Sequence, residues 1–440
     1  MLQGISLRDY QQRGIAELRQ SYSKGKRSVC YVSPTGSGKT RVAAEIMRLV
    51  VSKGKRCLFL ARRLELLDQC ARSLQQIGLD ARVIQAQRDS APSVVTVASV
   101  PTLVSDGWAT KLPDADFVIW DECHGIKART SLELRNRYPL AFHLGLTATP
   151  ARGDNSPLGD VFDSLVVGAT VQELIDRGHL VAPRVFAPPA ILSPRELALE
   201  PVDAFEKHCR GRQTVVFAAT VEHAEKIAAT FTTKGIKAAH VAGDMADRSD
   251  VISAYAQGAL QVLVNVNLCV EGWDDPPTSA AIFARRFTYA GPYLQACGRT
   301  LRPHESKQDA VIVDLCGSAL VHGTPDADRE YSLDGKPIRG VDRKALRQCP
   351  SCGGVFTARD VCPYCACELP KAARSLPQAN GAGVSEIAVK QKPTSWPMRA
   401  KKRGLCAGCG AAIEPGNWIM YSATRRTAQH VKCASQRSAA

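Results

Sequence analysis

No apolar run in this 440-residue chain approaches the roughly 18 consecutive residues that a membrane-crossing helix needs. The opening residues, MLQGISLRDY, lack the basic-then-apolar pattern of a secretory signal. These absences exclude helical membrane proteins and signal-led secreted ones, and they predict a cytoplasmic protein with no membrane partner. No self-similarity of solenoid period is present, which excludes repeat architectures. Nor is there a carboxylate cluster outside the motifs described below, so a nuclease has no obvious metal ligands.

Cysteine, by contrast, is plentiful, with 16 residues. They are spread through long Val-, Leu- and Ala-rich segments that need no covalent staples, and two groups of them have the spacing of metal ligands. A reducing compartment follows. The length predicts two or three folded units able to bury substantial cores. The formal charge of +15 is unevenly placed: from Val341 onward there are sixteen Lys and Arg against five Asp and Glu, a surplus of eleven in the last hundred residues. A basic appendage on a nearly balanced body points to a polyanion partner, of which nucleic acid is the commonest. The plainer alternative is a solubilising tail.

Residues 1–180 alternate short apolar β-type runs, SVCYVS, CLFLA, VVTVAS, FVIWD and HLGLTA, with amphipathic helical stretches. That alternation is the mark of a parallel sheet with helical crossovers. A second series, TVVFAAT, KAAHVAG, LQVLVNVN, AAIFA and DAVIVDL, predicts another α/β unit over residues 195–320. Between them, residues 179–197 are Pro-rich and aperiodic, which suits a connector. After Asp314 the pattern fades. A cysteine-rich module is expected at 345–368, a flexible basic linker at 369–403 and a last small module at 404–435.

SPTGSGKT, residues 33–40, follows an apolar run and leads into the helical TRVAAEIMRLVV. Glycine at 36 and 38 lets the backbone of Thr35, Gly36, Ser37 and Gly38 turn its N–H groups onto phosphate oxygens, aided by the positive end of the following helix. Lys39 is then placed for the β and γ phosphates and Thr40 for magnesium. A chance Gly-rich turn accounts poorly for strand, loop, Lys-Thr and helix together.

IWDECHG, residues 119–125, ends another apolar run. Asp121, expected beside the phosphate loop's strand, can hold magnesium directly or through water. Glu122 is placed to orient and deprotonate the attacking water. Zinc binding by Cys123 and His124 is the rival, but adjacent residues at a strand end diverge and no CxxC lies nearby.

With these two elements in order, the chain resembles the superfamily 2 helicases and translocases of the DEAD/DEAH type, over residues 1–315. LRDYQQ (7–12) resembles the adenine-recognition motif, with Gln11 at the base edge and Arg8 or Tyr10 beside it. FLARRLELLDQ (59–69) and TVASVPTL (96–103) resemble motifs that touch the nucleic-acid backbone. LGLTATP (144–150) matches the motif in which Thr147 and Thr149 link nucleotide state to strand contact. VVFAATVEHAEKIA (215–228), VLVNVNLCVEGWDDP (262–276) and QACGRTLRP (295–303) resemble the later motifs. The resemblance implies two tandem RecA-like P-loop domains, with Gly272 and Asp274 near the ribose, Gln295 near the water or phosphate, and Arg299 and Arg302 as arginine fingers. It implies a monomeric ATP hydrolase that moves along nucleic acid, DNA rather than RNA, because LTATP resembles the repair and restriction branch. An RNA helicase, or a zinc-dependent nucleic-acid-binding ATPase switch that does not unwind, is the alternative.

CPSCGGVFTARDVCPYC places Cys349, Cys352, Cys362 and Cys365 as two CxxC knuckles, a zinc-ribbon spacing. Cys406 and Cys409 pair with His430 and Cys433 as a second zinc finger, so two zinc ions are expected. Such modules are too small to fold without their metal. Lys401, Lys402, Arg403, Arg425 and Arg426 around them favour phosphate contact, and protein partners are the other possible use of these modules. Trp396 and Trp418 are candidates for base stacking, with Trp418 assigned to the small core.

Overall fold

A computed structural model describes residues 6–266 except 63, 86–87, 109–110, 151–156, 189–190, 194–195 and 244, residues 275–335 except 328, and residues 395–435 except 423–426. It also describes the short stretches 346–348, 355–357, 361, 366–368, 378–379 and 385–386. The chain divides into two compact units, Met1–Ile387 and Ala388–Ala440.

The larger unit begins with α1 (Asp9–Ser23), β1 (Ser28–Val32), α2 (Lys39–Val51), β2 (Cys57–Ala61), α3 (Leu64–Gln75), β3 (Ala81–Gln85), β4 (Arg88–Asp89) and β5 (Val95–Ser99). It continues with α4 (Val100–Leu103), β6 (Phe117–Trp120), α5 (Arg129–Asn136), β7 (Phe142–Thr147), β8 (Ser164–Val167), α6 (Val171–Asp176) and β9 (Ala182–Ala187). There follow β10 (Glu196–Leu197), α7 (Pro201–His208), β11 (Thr214–Phe217), α8 (Val221–Thr233), β12 (Ala238–Val241), α9 (Arg248–Ala256), β13 (Val262–Asn265), β14 (Ala280–Phe283), α10 (Ala290–Thr300), β15 (Asp309–Asp314) and α11 (Ser318–His322).

Two sheets result. The first has the order β4-β3-β5-β2-β6-β7-β1-β8 and is parallel apart from the β3-β4 pair. The second has the order β12-β13-β11-β14-β15-β9, all parallel, with residues 385–386 antiparallel on its edge. This is the expected α/β architecture of tandem RecA-like units. Strands buried on both faces read as nearly continuous apolar runs, and β1, β2 and β5 are buried throughout, with Ser28, Thr96 and Ser99 as their polar members. Side chains alternate across β1, so Val29 and Tyr31 join one core layer while Cys30 and Val32 join the other.

Two expectations for the larger unit are corrected. β7 lies between β6 and β1, so Asp121 ends a strand one removed from the phosphate loop's strand. The stretch read as a connector contains β9, a six-residue strand of the second sheet. Pro183 sits in that strand, and the prolines masked its β character because they break the sequence period. Beyond Asp314 the periodicity does fade, yet Leu158 N and Gly159 N donate to Leu333 O at 2.8 and 2.9 Å, and Tyr331 and Leu333 pack onto a core layer of the first sheet.

Gly145 in β7 shows how tightly that layer is filled. A Cβ there would lie 2.4 Å from Phe162 Cζ and 2.7 Å from Cys123 Sγ. Gly145→Ala is therefore expected to destabilise the fold by about 1–3 kcal/mol, seen as an earlier urea-unfolding midpoint; an unchanged midpoint would contradict this packing.

In the smaller unit, strands Ser395–Arg399, Trp418–Ser422 and Thr427–His430 form an antiparallel sheet. Its core is Ala400, Cys406, Ile413 and Ile419. Trp418 is not part of it, being 54% exposed. Neighbours on a strand face opposite ways, and Ile419 takes the inward position. Among the described residues no helix is long and apolar enough to cross a membrane.

Candidate active site

β1 ends at Val32 and α2 begins at Lys39, so the loop between them lies at the carboxyl edge of the sheet, where open α/β sheets bind ligands. Gly36 and Gly38 have φ of +85° and +79°, the left-handed region that favours glycine. A Cβ on Gly38 would also come within 2.6 Å of Gln11 Nε2. The loop is braced from α1: Tyr10 Oη donates to Ser37 O at 2.8 Å and Gln11 Nε2 to the same carbonyl at 3.0 Å. Arg8 Nη1 donates to Tyr10 Oη at 3.2 Å, and Arg8 N to Gln11 Oε1 at 3.0 Å.

Ser37 Oγ is buried with no partner among the described residues, and a phosphate oxygen would satisfy it. Lys39 Nζ donates to Ser33 O and Pro34 O at 3.1 and 3.3 Å. Burial pushes its ammonium pKa down, against the pull of the Glu122 and Asp121 charges. Thr40 follows on the first turn, half-buried. These residues fit a magnesium nucleotide: glycine turns, a buried hydroxyl, a cation and a nearby carboxylate pair.

Asp121 follows β6, its N–H donating to Leu60 O at 2.8 Å and its Oδ1 accepting from Glu122 N at 3.1 Å. Glu122 has φ +47° and ψ +52°, a left-handed conformation that costs a non-glycine residue about 1–3 kcal/mol and tends to persist at functional sites. Its Oε2 accepts from Gln295 Nε2 at 3.2 Å and lies 3.3 Å from His124 Nδ1. That nitrogen is also 3.3 Å from Thr147 Oγ1, which donates to Thr149 O at 2.8 Å. Burial opposes charge on both carboxylates. For Glu122 the His124 hydrogen bond and the His124, Lys39 and Arg299 charges win, holding it below the usual carboxylate range, whereas burial and the Glu122 charge push Asp121 up. Cys123 is buried with its Sγ 3.8 Å from Cys30 Sγ, so it and His124 diverge and do not form a ligand pair.

The opposite wall is α10. Gln295 and Arg299, four residues apart on one helical face, are both buried. Gly298 lets the helix approach the phosphate loop, since a Cβ there would be 2.7 Å from Thr35 Cβ. Arg302 lies beside Gly36, whose Cβ would be 3.5 Å from Arg302 Cγ, and burial brings its guanidinium down to about 10. A void of about 30 Å³ remains among Pro34, Thr35, Ala148, Leu294, Gly298 and Arg329, room for one or two waters. The structure thus gathers Lys39, Asp121, Glu122, Gln295, Arg299 and Arg302, with Arg8 and Gln11 behind the loop. Gly272 and Asp274 lie outside the described residues. Sequence reasoning missed Arg62, whose Nη2 donates to Gly125 O and Ser131 Oγ, both at 3.0 Å, and so steadies the loop after Glu122.

In the smaller unit the ligand atoms of Cys406, Cys409, His430 and Cys433 all lie within 4.8 Å of one another. Burial opposes the thiolate of Cys406, yet donors at His430 N and Gly408 N, 3.2 and 3.4 Å from its Sγ, help bring its pKa to about 6. Three thiols and one imidazole so gathered can hold a metal ion. Cys349, Cys352, Cys362 and Cys365 lie outside the described residues.

Comparison with known proteins gives two family matches, residues 4–152 to the type III restriction enzyme res subunit and residues 199–304 to the helicase conserved C-terminal domain. A 51.5 kDa protein of a Lactococcus phage (isolate 7-9) is 28% identical over 76% of this chain and 76% of its own length. A Schizosaccharomyces pombe protein, provisionally named mitochondrial ATP-dependent helicase irc3, is 28% identical over 71% of this chain, which spans 58% of it. The DNA 3'-5' translocase XPB2 of Sulfurisphaera tokodaii is 24% identical over 73% of this chain and 83% of its own. In fold, the chain is similar to a fragment provisionally described as the HsdR subunit of a type I restriction enzyme from Vibrio vulnificus, with TM-score 0.59 and 24% identity over 77% of this chain and 68% of that one.

Proposed function

The chain belongs to the superfamily 2 helicases, and we propose that it is an ATP-dependent translocase acting, as a monomer, on DNA in preference to RNA. The observation that carries this reading is the Gln295 Nε2 to Glu122 Oε2 hydrogen bond of 3.2 Å, which joins the acid following the first sheet's β6 to the helix packed on the second sheet. A motor needs a site that is complete only when its two walls meet, so that nucleotide state and lobe position are coupled.

In this reading Lys39 holds the β and γ phosphates, while Thr40 and Asp121 hold magnesium, which neutralises charge developing on the phosphate oxygens when bound. Glu122 orients the attacking water and takes its proton. Gln295 fixes the Glu122 carboxylate, and Arg299 and Arg302 bring positive charge to the leaving phosphate from the second wall. Arg8 and Gln11 stand at the base side, with Gly272 and Asp274 near the ribose. His124, touching both Glu122 and Thr147, relays the state of the site to the loop at Thr149. The Cys406 cluster takes zinc, and the Cys349 set takes a second. The DNA preference is supported by the resemblance to the translocase and restriction proteins, and a nucleic-acid partner of either kind by a tail whose basic surplus is eleven charges.

The test is ATP turnover measured side by side with single-stranded DNA, duplex DNA, forked DNA and RNA. Stimulation by DNA above RNA is the expected result. Turnover indifferent to every polynucleotide would leave only the switch reading, and stimulation by RNA alone would reverse the substrate.

A further inference from the structure

The smaller unit carries ten Lys and Arg against a single acidic residue, Glu414, and that carboxylate is already paired with Arg403 Nε at 2.7 Å. Such a charge surplus attracts a polyanion of any sequence. Trp418 adds something that charge alone does not require. A four-ligand module with a core of four side chains has few apolar residues to spare, yet this one leaves its indole 54% exposed while Ile419 fills the interior.

The exposed ring is also held in place. Arg399 pairs with Trp418 in the sheet register, its guanidinium carbon lies 5.0 Å from the ring centroid, and its Nη1 donates to Gly416 O at 3.0 Å. Guanidinium and indole are thus in cation–π contact. Ala400 N donates to Asn417 O at 2.9 Å and Gly416 N to Ala400 O at 2.8 Å, which sets Lys401 and Lys402, both exposed, at the same end of the sheet as the ring.

We propose that Trp418, backed by Arg399 and flanked by Lys401 and Lys402, is a stacking platform for an unpaired base of single-stranded nucleic acid, with the lysines taking the adjoining phosphates. Every base has a π-face, so the platform grips a strand without reading its sequence, as a translocase that must release and regrip demands. The Cys406 cluster serves as its mount: His430 lies on the strand Thr427–His430, which pairs with the strand carrying Trp418. This deepens the nucleic-acid reading above and rests on it.

The experiment uses the full chain without nucleotide and measures affinity for a short single strand, as DNA and as RNA, with normal bases and with abasic positions. Stacking is worth about 1–3 kcal/mol per base, so Trp418→Ala should weaken binding about 5- to 140-fold. It should also erase the parent's preference for base-bearing over abasic strands, in either nucleic acid. Trp418→Phe, which keeps a ring, should stay near the parent, and Trp418→Leu, apolar without a ring, should resemble Ala. Zinc content equal to the parent's confirms that the mount is intact, and basal ATP turnover should not change. The proposal is overturned if Trp418→Ala or Trp418→Leu binds as the parent does, as it would were this a protein-docking face. That failure leaves polynucleotide-stimulated turnover standing, whereas a parent that neither binds strands nor is stimulated by them ends the translocase reading as well.

Discussion

Replacing Glu122 by Gln is expected to lower ATP turnover about 10²- to 10⁴-fold while the nucleotide still binds. The substitution preserves volume, and the new amide oxygen can still accept from Gln295 Nε2, now 3.2 Å from the carboxylate. What disappears is the ability to take a proton. Lys39→Ala should behave differently and weaken nucleotide binding together with turnover, because in the proposed reading the Lys39 charge is spent on the β and γ phosphates. Single-turnover hydrolysis alongside nucleotide affinity separates the two. A Glu122→Gln enzyme within tenfold of the parent would remove Glu122 from the chemistry and leave the strained φ of +47° without a functional account.

That strain marks where sequence reasoning reached its limit. The apolar runs around Val29, Leu58, Val97, Val118 and Val215 announced their strands because a strand buried on both faces is built mostly of apolar residues. SPTGSGKT announced its loop because only glycine sits comfortably at Gly36 and Gly38. No comparable local constraint says that Glu122 turns left-handed, or that β7 separates β6 from β1. Strand order is decided by crossover packing between segments distant in the chain. Pro183 hid β9 for the opposite reason: a local rule against strands was overridden by a place near the edge of the second sheet, next to β15. Trp418 was misassigned because aromatic content was weighed without strand parity. Counting alternate positions from Ile419 would have placed it outside.

The second large effect belongs to α10. Arg299→Ala should lower ATP turnover about 10³- to 10⁵-fold, the range associated with an arginine that meets the developing charge of phosphoryl transfer. The geometry explains why one side chain on the second wall can matter so much. Gly298 next to it permits contact with Thr35, where any Cβ would collide at 2.7 Å. Arg299 is 6% exposed, so its charge acts where water does not screen it, and its influence already reaches both Lys39 and Glu122. Removing it leaves the phosphate loop, the Lys39 contacts and Asp121 untouched, so nucleotide affinity should change far less than turnover. Arg299→Lys should recover only part of the loss, since an ammonium keeps the charge but lacks the planar fork that donates to two oxygens at once. Equal losses in binding and turnover would make Arg299 a brace between the lobes. Turnover within tenfold of the parent would show that the second wall supplies no charge to the reaction, and the coupling of hydrolysis to lobe closure would lose its physical basis.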